Sequence, residues 1–115
     1  MERSDAVAAL AALAQDNRLD VFRLLVRAGP EGKSAGNIAA ELKLAPNTLT
    51  FHFDRLRSAD LVTVRREGRS MIYAAKFDAM NALLGFLTEN CCAGSAETCA
   101  PAVCKPARAK RKEAV

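Results

Sequence analysis

The chain has few of the residues on which catalytic and membrane functions usually depend. It contains no tryptophan, one tyrosine and one histidine, His52, and no cysteine precedes Cys91. No stretch approaches the roughly 20 consecutive apolar residues needed to span a bilayer, and the first residues do not resemble a signal peptide. We therefore expect a cytoplasmic protein with no membrane partner.

Catalytic groups are equally scarce. Apart from His52 the sequence has no histidine, no glycine-rich phosphate loop, and no nucleophile beside an apparent base. We therefore expect that the protein is not an enzyme. Reductase-like thiol chemistry at Cys91 and Cys92 is the enzymatic alternative, and it predicts turnover of arsenate with a thiol reductant.

Size favours a small protein that forms a dimer, and charge permits a polyanionic partner. The 115 residues make one domain with a modest core, which favours dimerisation. Seventeen lysines and arginines against thirteen acidic residues give a net charge of +4, which permits a polyanionic partner. We expect a folded domain over residues 1–90 and, over residues 91–115, a cysteine-containing segment with a basic, disordered tail.

Helical periodicity predicts three helices in the first part of the chain. They are Asp5–Gln15 after an N-cap at Ser4, Arg18–Ala28 after an N-cap at Asp16, and Ser34–Leu42. The apolar stripes expected on them are Val7, Leu10 and Leu13 on the first, and Leu19, Phe22, Leu25 and Val26 on the second. Gly29-Pro30 is expected to end the second helix.

A helix-turn-helix and a wing are predicted next. A fourth helix from Asn47 to about Ala59 follows the turn 44–46, and two short helices joined by a tight turn form a helix-turn-helix. Residues 61–64 and 71–74 alternate as strands do and predict a hairpin whose tip, residues 65–70, is basic. A last helix is expected from Asp78 to about Asn90. The predicted fold is mainly α with a β-hairpin wing, a winged helix-turn-helix.

The run from Leu44 to Val62, LAPNTLTFHFDRLRSADLV, resembles the recognition-helix signature of the ArsR/SmtB family of metal-responsive repressors. The resemblance covers roughly residues 6–87. It departs at Asp60, where the family usually has glycine, and at Phe51, where a basic or polar residue is common. We expect Asp60 to adopt the left-handed backbone that aspartate tolerates, and Phe51 to alter operator preference.

The resemblance implies a homodimer whose first and last helices form the interface, and whose recognition helix enters the major groove of double-stranded operator DNA. Side chains near the start of such a helix meet base edges, while basic groups and helix termini meet phosphates. The candidates for the groove are Asn47, Thr48, Thr50, Phe51 and His52. Those for the backbone are Ser34, Arg55 and Arg57. On the wing, the candidates for phosphates or the minor groove are Arg65, Arg66 and Arg69.

All four cysteines follow the predicted domain, between Cys91 and Cys104. Clustered thiolates suit a soft ion, and the lack of a nearby histidine or carboxylate cluster disfavours a hard cation. As(III) and Sb(III) favour three thiolates in a pyramid, which Cys91, Cys92 and Cys99 could supply, with Cys104 as a spare or a fourth ligand. Adjacent residues on a helix point about 100° apart, so Cys91 and Cys92 can share an ion only where the helix ends. Asn90 and Gly94 favour such an end.

Some arsenic-responsive members of the resembled family carry a vicinal cysteine pair and a third cysteine just after the last helix. The cysteine motif of another arsenic-sensing branch is missing from the third helix, and the His and Asp ligands of the zinc-sensing branch are missing from the last. The resemblance thus implies a repressor that As(III), or Sb(III), releases from DNA. Open alternatives are a four-thiolate cadmium or zinc site, a Cys91–Cys92 redox switch, methylated arsenic on two thiolates, and a metal chaperone.

Overall fold

The computed structural model describes residues 1–91 as five helices and three strands. The helices are α1 (Arg3–Leu13), α2 (Asp16–Ala28), α3 (Ala35–Leu42), α4 (Pro46–Ser58) and α5 (Phe77–Leu87), and the strands are β1 (Lys33–Ser34), β2 (Val62–Glu67) and β3 (Ser70–Ala75). No helix within residues 1–91 is long and apolar enough to cross a membrane. Cys92, Cys99, Cys104 and the basic tail lie outside the described residues, so the predicted boundary at residue 90 stays a prediction.

Alanines hold α1 against the rest of the domain. Ala6, Ala9 and Ala12 recur every three residues and are buried, whereas Val7 and Leu10 are exposed. The prediction that Val7 and Leu10 form an inward stripe is therefore wrong. The small alanine side chains let α1 pack closely, and this leaves the larger apolar side chains on its outer face.

Both predicted N-caps in this region are wrong by one or two residues. Helix α1 begins after Glu2, whose backbone N–H donates to the Asp5 carboxylate at 3.3 Å, so Ser4 lies inside the helix. Helix α2 is capped by Gln15, whose side-chain oxygen accepts from the Arg18 backbone N–H at 2.9 Å. A Ser or Asp side chain at the N-cap usually accepts from these free N–H groups. In α2 the Gln15 side chain does so instead, and in α1 the Asp5 carboxylate accepts from the Glu2 N–H.

The core face of α2 differs in part from the predicted stripe. Phe22 and Leu25 are buried as expected, but Leu19 is exposed and Val26 is only partly buried. Val21 and Leu24 take their places in the core. Gly29, with φ of 83°, ends the helix as predicted, because a left-handed residue there is easiest for glycine.

The helix-turn-helix is formed by α3 and α4. The Ser34 hydroxyl accepts from the Asn37 backbone N–H at 3.2 Å and caps α3. Lys43 is left-handed, with φ of 57°, and the Leu44 N–H donates to the Ala39 carbonyl at 3.0 Å, which closes the end of α3. Pro46 then starts α4, where its missing N–H costs nothing. The predicted motif is confirmed.

The wing is a longer and tighter hairpin than predicted. The three strands form an antiparallel sheet in the order β1-β3-β2. The turn is only Gly68-Arg69, with Gly68 at φ of 62°, as in the hairpin turns that place glycine first. The predicted six-residue loop is therefore wrong, since Arg65 and Arg66 lie in β2. Strand β1, two residues long, was not predicted.

Candidate nucleic-acid interface

Helix α4 separates core residues from exposed ones along its length. Leu49, His52, Phe53 and Leu56 are buried at the spacing of one helical face. The remaining predicted contacts of this helix are all exposed: Asn47, Thr48, Thr50, Phe51, Arg55 and Arg57. Of the α4 residues predicted to contact DNA, only His52 is therefore inaccessible.

Hydrogen-bond donors cluster at the start of α4. The Asn47 side-chain oxygen accepts from the Thr48 backbone N–H at 2.9 Å, which leaves the Asn47 amide N–H₂ to donate elsewhere. The Thr50 hydroxyl donates to the Pro46 carbonyl at 3.0 Å. Because a helix amino end also carries partial positive charge and unpaired N–H groups, this end of α4 suits phosphate oxygens and base acceptors.

Phe51 and Arg55 form a pair on the exposed face of α4. Phe51 is 52% exposed, and the Arg55 guanidinium carbon lies 5.3 Å from the centre of its ring. Residues four apart on a helix are neighbours, and a guanidinium over an aromatic face is attracted to it. The Phe51 ring also meets the His52 ring edge-on, with 5.7 Å between centroids.

His52 faces the core, so the prediction that it lies on the exposed side of α4 is wrong. It is 5% exposed, because it lies three residues after Leu49 and four before Leu56 on the buried face. Its Nδ1 is buried, with no hydrogen-bond partner among the described residues. Burial lowers the pKa of His52, and the nearby Arg18 guanidinium lowers it further. His52 is therefore a neutral core residue and not a base-reading one.

The recognition helix and the wing are joined by an aromatic stack. The rings of Phe53 on α4 and Tyr73 on β3 lie 3.6 Å apart between centroids and 10° from parallel. Burial raises the pKa of Tyr73, with the Arg57 and Asp54 charges as smaller, opposed influences, so the phenol is neutral at pH 7. The stack fixes the position of the wing relative to α4.

The three wing arginines do not form one basic tip. Arg65 and Arg66 are consecutive in β2 and point to opposite faces of the hairpin, while Arg69 is exposed in the turn. The Arg65 guanidinium donates to the Glu67 carboxylate and to the Glu31 carbonyl, each at 2.8 Å. Arg66 donates to the Gly68 carbonyl at 3.3 Å. Arg69 is the wing arginine that extends furthest from the helices along the hairpin.

A polar cleft of about 510 Å³ lies between the wing and the start of α3. Ser34 and Arg65 both line it, so the structure brings together two predicted phosphate contacts. The Ser34 oxygen accepts from the Asn37 N–H, and its own O–H stays able to donate. Glu31 and Glu67 line the same cleft and reduce its positive charge.

The chain leaves helix α5 before the first cysteine. The helix ends at Leu87, three residues before the predicted end, and Asn90 adopts a left-handed φ of 57°. The Cys91 N–H donates to the Thr88 carbonyl at 3.0 Å, and Cys91 is partly buried. The prediction that the helix ends before the vicinal cysteines is confirmed. Within residues 1–91, no group of three or more His, Cys, Asp or Glu side chains is placed to hold a metal.

Known proteins resemble this fold and sequence. A family model described as a helix-turn-helix domain matches residues 13–65. The nodulation protein NolR of Rhizobium meliloti is 31% identical over 80 residues, 70% of this chain and 63% of NolR. The structure of HlyU from Vibrio cholerae is 30% identical, with a TM-score of 0.60, and the match covers 76% of this chain and 97% of HlyU. An ArsR-like transcriptional regulator from Rhodococcus sp. RHA1, 24% identical, has the same fold, with a TM-score of 0.65 over 73% of this chain and 76% of that one.

The chain belongs to the winged helix-turn-helix transcriptional regulators of the HlyU and NolR type. The chain spans slightly less than two thirds of the length of NolR from Rhizobium meliloti. YceK of Bacillus subtilis and YgaV of Escherichia coli, 31% and 29% identical, are named as HTH-type transcriptional regulators, which is indirect support for the expectation that the chain is not an enzyme.

The backbone of the chain accommodates Asp60 as expected. Asp60 is left-handed, with φ of 63°, and the Leu61 N–H donates to the Leu56 carbonyl at 3.0 Å, which closes the end of α4. The Lys76 ammonium lies 2.8 Å from the Asp60 carboxylate. Such an exposed ion pair contributes about 0 to 1 kcal/mol. It ties the end of α4 to the start of α5, and no feature of the sequence singled out Lys76 for this role.

His52 should make the stability of the protein depend on pH. Folding lowers the pKa of His52 from its unfolded value of about 6.5. Below pH 6.5 the unfolded chain therefore binds more protons at His52 than the folded protein does. The free energy of unfolding should therefore fall as pH drops below 6.5, by at most about 1.4 kcal/mol per pH unit. Urea unfolding of the wild type and of His52→Gln at pH 7.5, 6.5 and 5.5 measures this.

The comparison is clean because His52 is the only histidine in the sequence. We expect the His52→Gln variant to lose most of the pH dependence above pH 5, where carboxylates begin to titrate. An equal slope in both proteins would show that His52 is not the group responsible.

Proposed function

We propose that the protein is a homodimeric, As(III)-responsive transcriptional repressor. The dimer binds double-stranded operator DNA through α4 and the wing, and As(III) or Sb(III) on the C-terminal cysteines releases it. The observation that carries the DNA-binding half is the exposed part of α4, where polar, aromatic and basic side chains are accessible on a helix that packs beside the wing. The net charge of +4 favours the same partner.

The surface of the domain supports dimerisation through α1 and α5. Val7 and Leu10 are exposed on α1, and Leu84 and Leu87 are exposed on α5. An apolar groove of about 440 Å³ adjoins them between α2 and α5, with Leu19 and Leu84 in its lining. Exposed apolar surface of this kind marks an interaction site on a small soluble domain. A second copy over this surface would present two α4 helices to successive half-sites.

The position of the cysteines supports control of DNA binding through α5. Cys91 lies four residues beyond the end of α5, directly after the left-handed Asn90. An ion held there by Cys91, Cys92 and Cys99, with Cys104 as a candidate fourth ligand, would act on the helix that carries part of the proposed dimer surface. A change in that helix alters the spacing of the two recognition helices. The ion must bind the DNA-incompetent state more tightly, because otherwise it shifts nothing.

Fluorescence anisotropy on the DNA upstream of the protein's own gene tests this function. Wild-type protein is titrated onto the duplex at matched salt, and arsenite, zinc, cadmium or an oxidant is then added. We expect arsenite to weaken DNA binding by roughly 5- to 150-fold, the usual range of allosteric coupling. The Cys91→Ser/Cys92→Ser variant should bind DNA as tightly as the wild type does, and arsenite should not weaken that binding. The Cys104→Ser variant should still be released from DNA by arsenite.

The other outcomes identify the alternatives. Release by zinc or cadmium would indicate a divalent-ion sensor, and release by the oxidant alone would indicate a thiol-redox sensor. Loss of both DNA binding and response in the double cysteine variant would show that the cysteines support folding instead. DNA binding that is absent, or that lacks the salt dependence of phosphate contacts, would point to a metal chaperone.

A further inference from the structure

Phe51 is an apolar side chain on an otherwise polar surface. It is 52% exposed on α4, and the residues that share its side of the helix are polar or charged. The other exposed large apolar residues of the helices lie on α1, α2 and α5, where a second subunit would cover them. Neither the core nor the proposed dimer surface explains Phe51.

The position of Phe51 points to the major groove. It lies in the first half of α4, one turn after Asn47 and Thr48 and on the same face. Side chains in this part of a recognition helix reach base edges. The thymine 5-methyl group is the apolar group that base pairs present in the major groove, and aromatic side chains contact it.

The Phe51 ring is already held in place without DNA. It makes an edge contact with the ring of the buried His52, at 5.7 Å between centroids. The Arg55 guanidinium lies over the Phe51 ring, 5.3 Å from its centre. A ring restrained in this way loses little conformational freedom when it binds. The guanidinium over it keeps free N–H donors for a phosphate or a guanine.

We propose that Phe51 reads the 5-methyl group of one thymine in each operator half-site, with Arg55 holding the ring for that contact. This inference rests on the proposed function, because it requires that α4 binds DNA. It assigns a sequence preference to the position at which the chain departs from the polar residue common in the resembled family.

Deoxyuridine substitution tests the contact, since uracil differs from thymine only by that methyl group. Duplexes bound by the full-length protein are first selected from a random-sequence library. Each thymine of the selected duplex is then replaced by deoxyuridine, singly and in symmetric pairs, and the Kd is measured by anisotropy. We expect a loss of roughly three- to fivefold at one thymine per half-site, and of roughly 10- to 25-fold when both half-sites are changed.

The Phe51 variants decide whether this residue is the reader. Phe51→Ala should bind thymine and deoxyuridine duplexes equally, and Phe51→Leu, which keeps an apolar side chain, should retain part of the preference. Arg55→Lys keeps the charge but loses the planar stack, so it should reduce the preference while the salt dependence stays. Circular dichroism and the melting temperature check that each variant is folded, which we expect because both residues are exposed.

Two results would overturn the inference while leaving DNA binding intact. The first is a wild type that is indifferent to deoxyuridine at every position. The second is a Phe51→Ala variant that discriminates as strongly as the wild type, which would assign the methyl contact to another residue. Failure to select any duplex would instead overturn the proposed function, and this inference with it.

Discussion

Replacing Gly32 with alanine should lower the free energy of unfolding by roughly 2 to 5 kcal/mol. Gly32 has φ of +75°, a backbone conformation that residues other than glycine rarely adopt. A Cβ on it would lie 2.3 Å from the Tyr73 carbonyl oxygen and 3.1 Å from the Ala74 Cβ. The nearest of these atoms belongs to the backbone of β3, so it cannot rotate away. The loop before β1 must therefore move away from β3, or the pairing must break.

Gly68→Ala is the matched control for Gly32→Ala. Gly68 also has a positive φ, of +62°, but a Cβ on it would meet no atom within 4 Å. The control should lose only the conformational part, about 1 to 2 kcal/mol. Urea unfolding of both variants at pH 7.5 gives the difference, which measures the clash with β3. Equal losses would show that the loop relaxes without cost and that the contact does not matter.

The Gly32 contact should also affect the proposed DNA surface. Lys33 pairs with Tyr73 and Ser34 with Ile72, so β1 joins the start of α3 to the wing. Ser34 caps α3 and lines the cleft that also contains Arg65. If β1 separates from β3, the start of α3 should shift relative to the wing. We therefore expect the folded fraction of Gly32→Ala to bind the selected duplex more weakly than Gly68→Ala does.

The apolar core positions of α3 and α4 could be predicted well from the sequence. The inward faces of α3 and α4 follow from Ile38, Leu49, Phe53 and Leu56 at helical spacing, and all four are buried. The left-handed Asp60 follows from the resemblance and from the tolerance of aspartate for that conformation. These features depend on the order of neighbouring residues, which a sequence displays directly.

The wrong predictions concern features that depend on how neighbouring helices and strands pack. In α1 the large residues Val7 and Leu10 suggested the inner face, but close packing selected the alanines. His52 was predicted to be a groove contact, although its spacing of three residues from Leu49 puts it on the buried face. Strand β1 has only two residues and no periodicity, so its pairing with β3 could not be read from its own sequence.

Phe53→Ala should lower the free energy of unfolding by roughly 3 to 5 kcal/mol, and Tm by more than about 10 °C. Phe53 is 1% exposed, so its removal leaves a cavity in the core between α4 and the sheet. It also removes the stack on Tyr73, whose ring is 3.6 Å away between centroids. Aromatic pairs contribute about 0.5 to 1.5 kcal/mol beyond the area that they bury.

The same helix supplies the control for this prediction. Phe51→Ala makes the identical substitution two residues earlier, at an exposed ring whose contact with Arg55 contributes about 0.5 to 1 kcal/mol. Thermal and urea unfolding should therefore separate the two variants by at least about 2 kcal/mol. Similar losses in both would contradict the burial of Phe53 and the exposure of Phe51 together.

The two phenylalanines should also separate stability from recognition. Phe51→Ala should change sequence preference in a folded protein, because in the proposed complex the Phe51 ring lies in the major groove. Phe53→Ala should weaken binding to every duplex alike, because it removes the stack that fixes the wing to α4. Phe53→Leu, which fills most of the cavity but cannot stack on Tyr73, should recover most of the stability. If it recovers the stability and not the affinity for the selected duplex, the Phe53–Tyr73 stack itself sets the position of the wing on DNA.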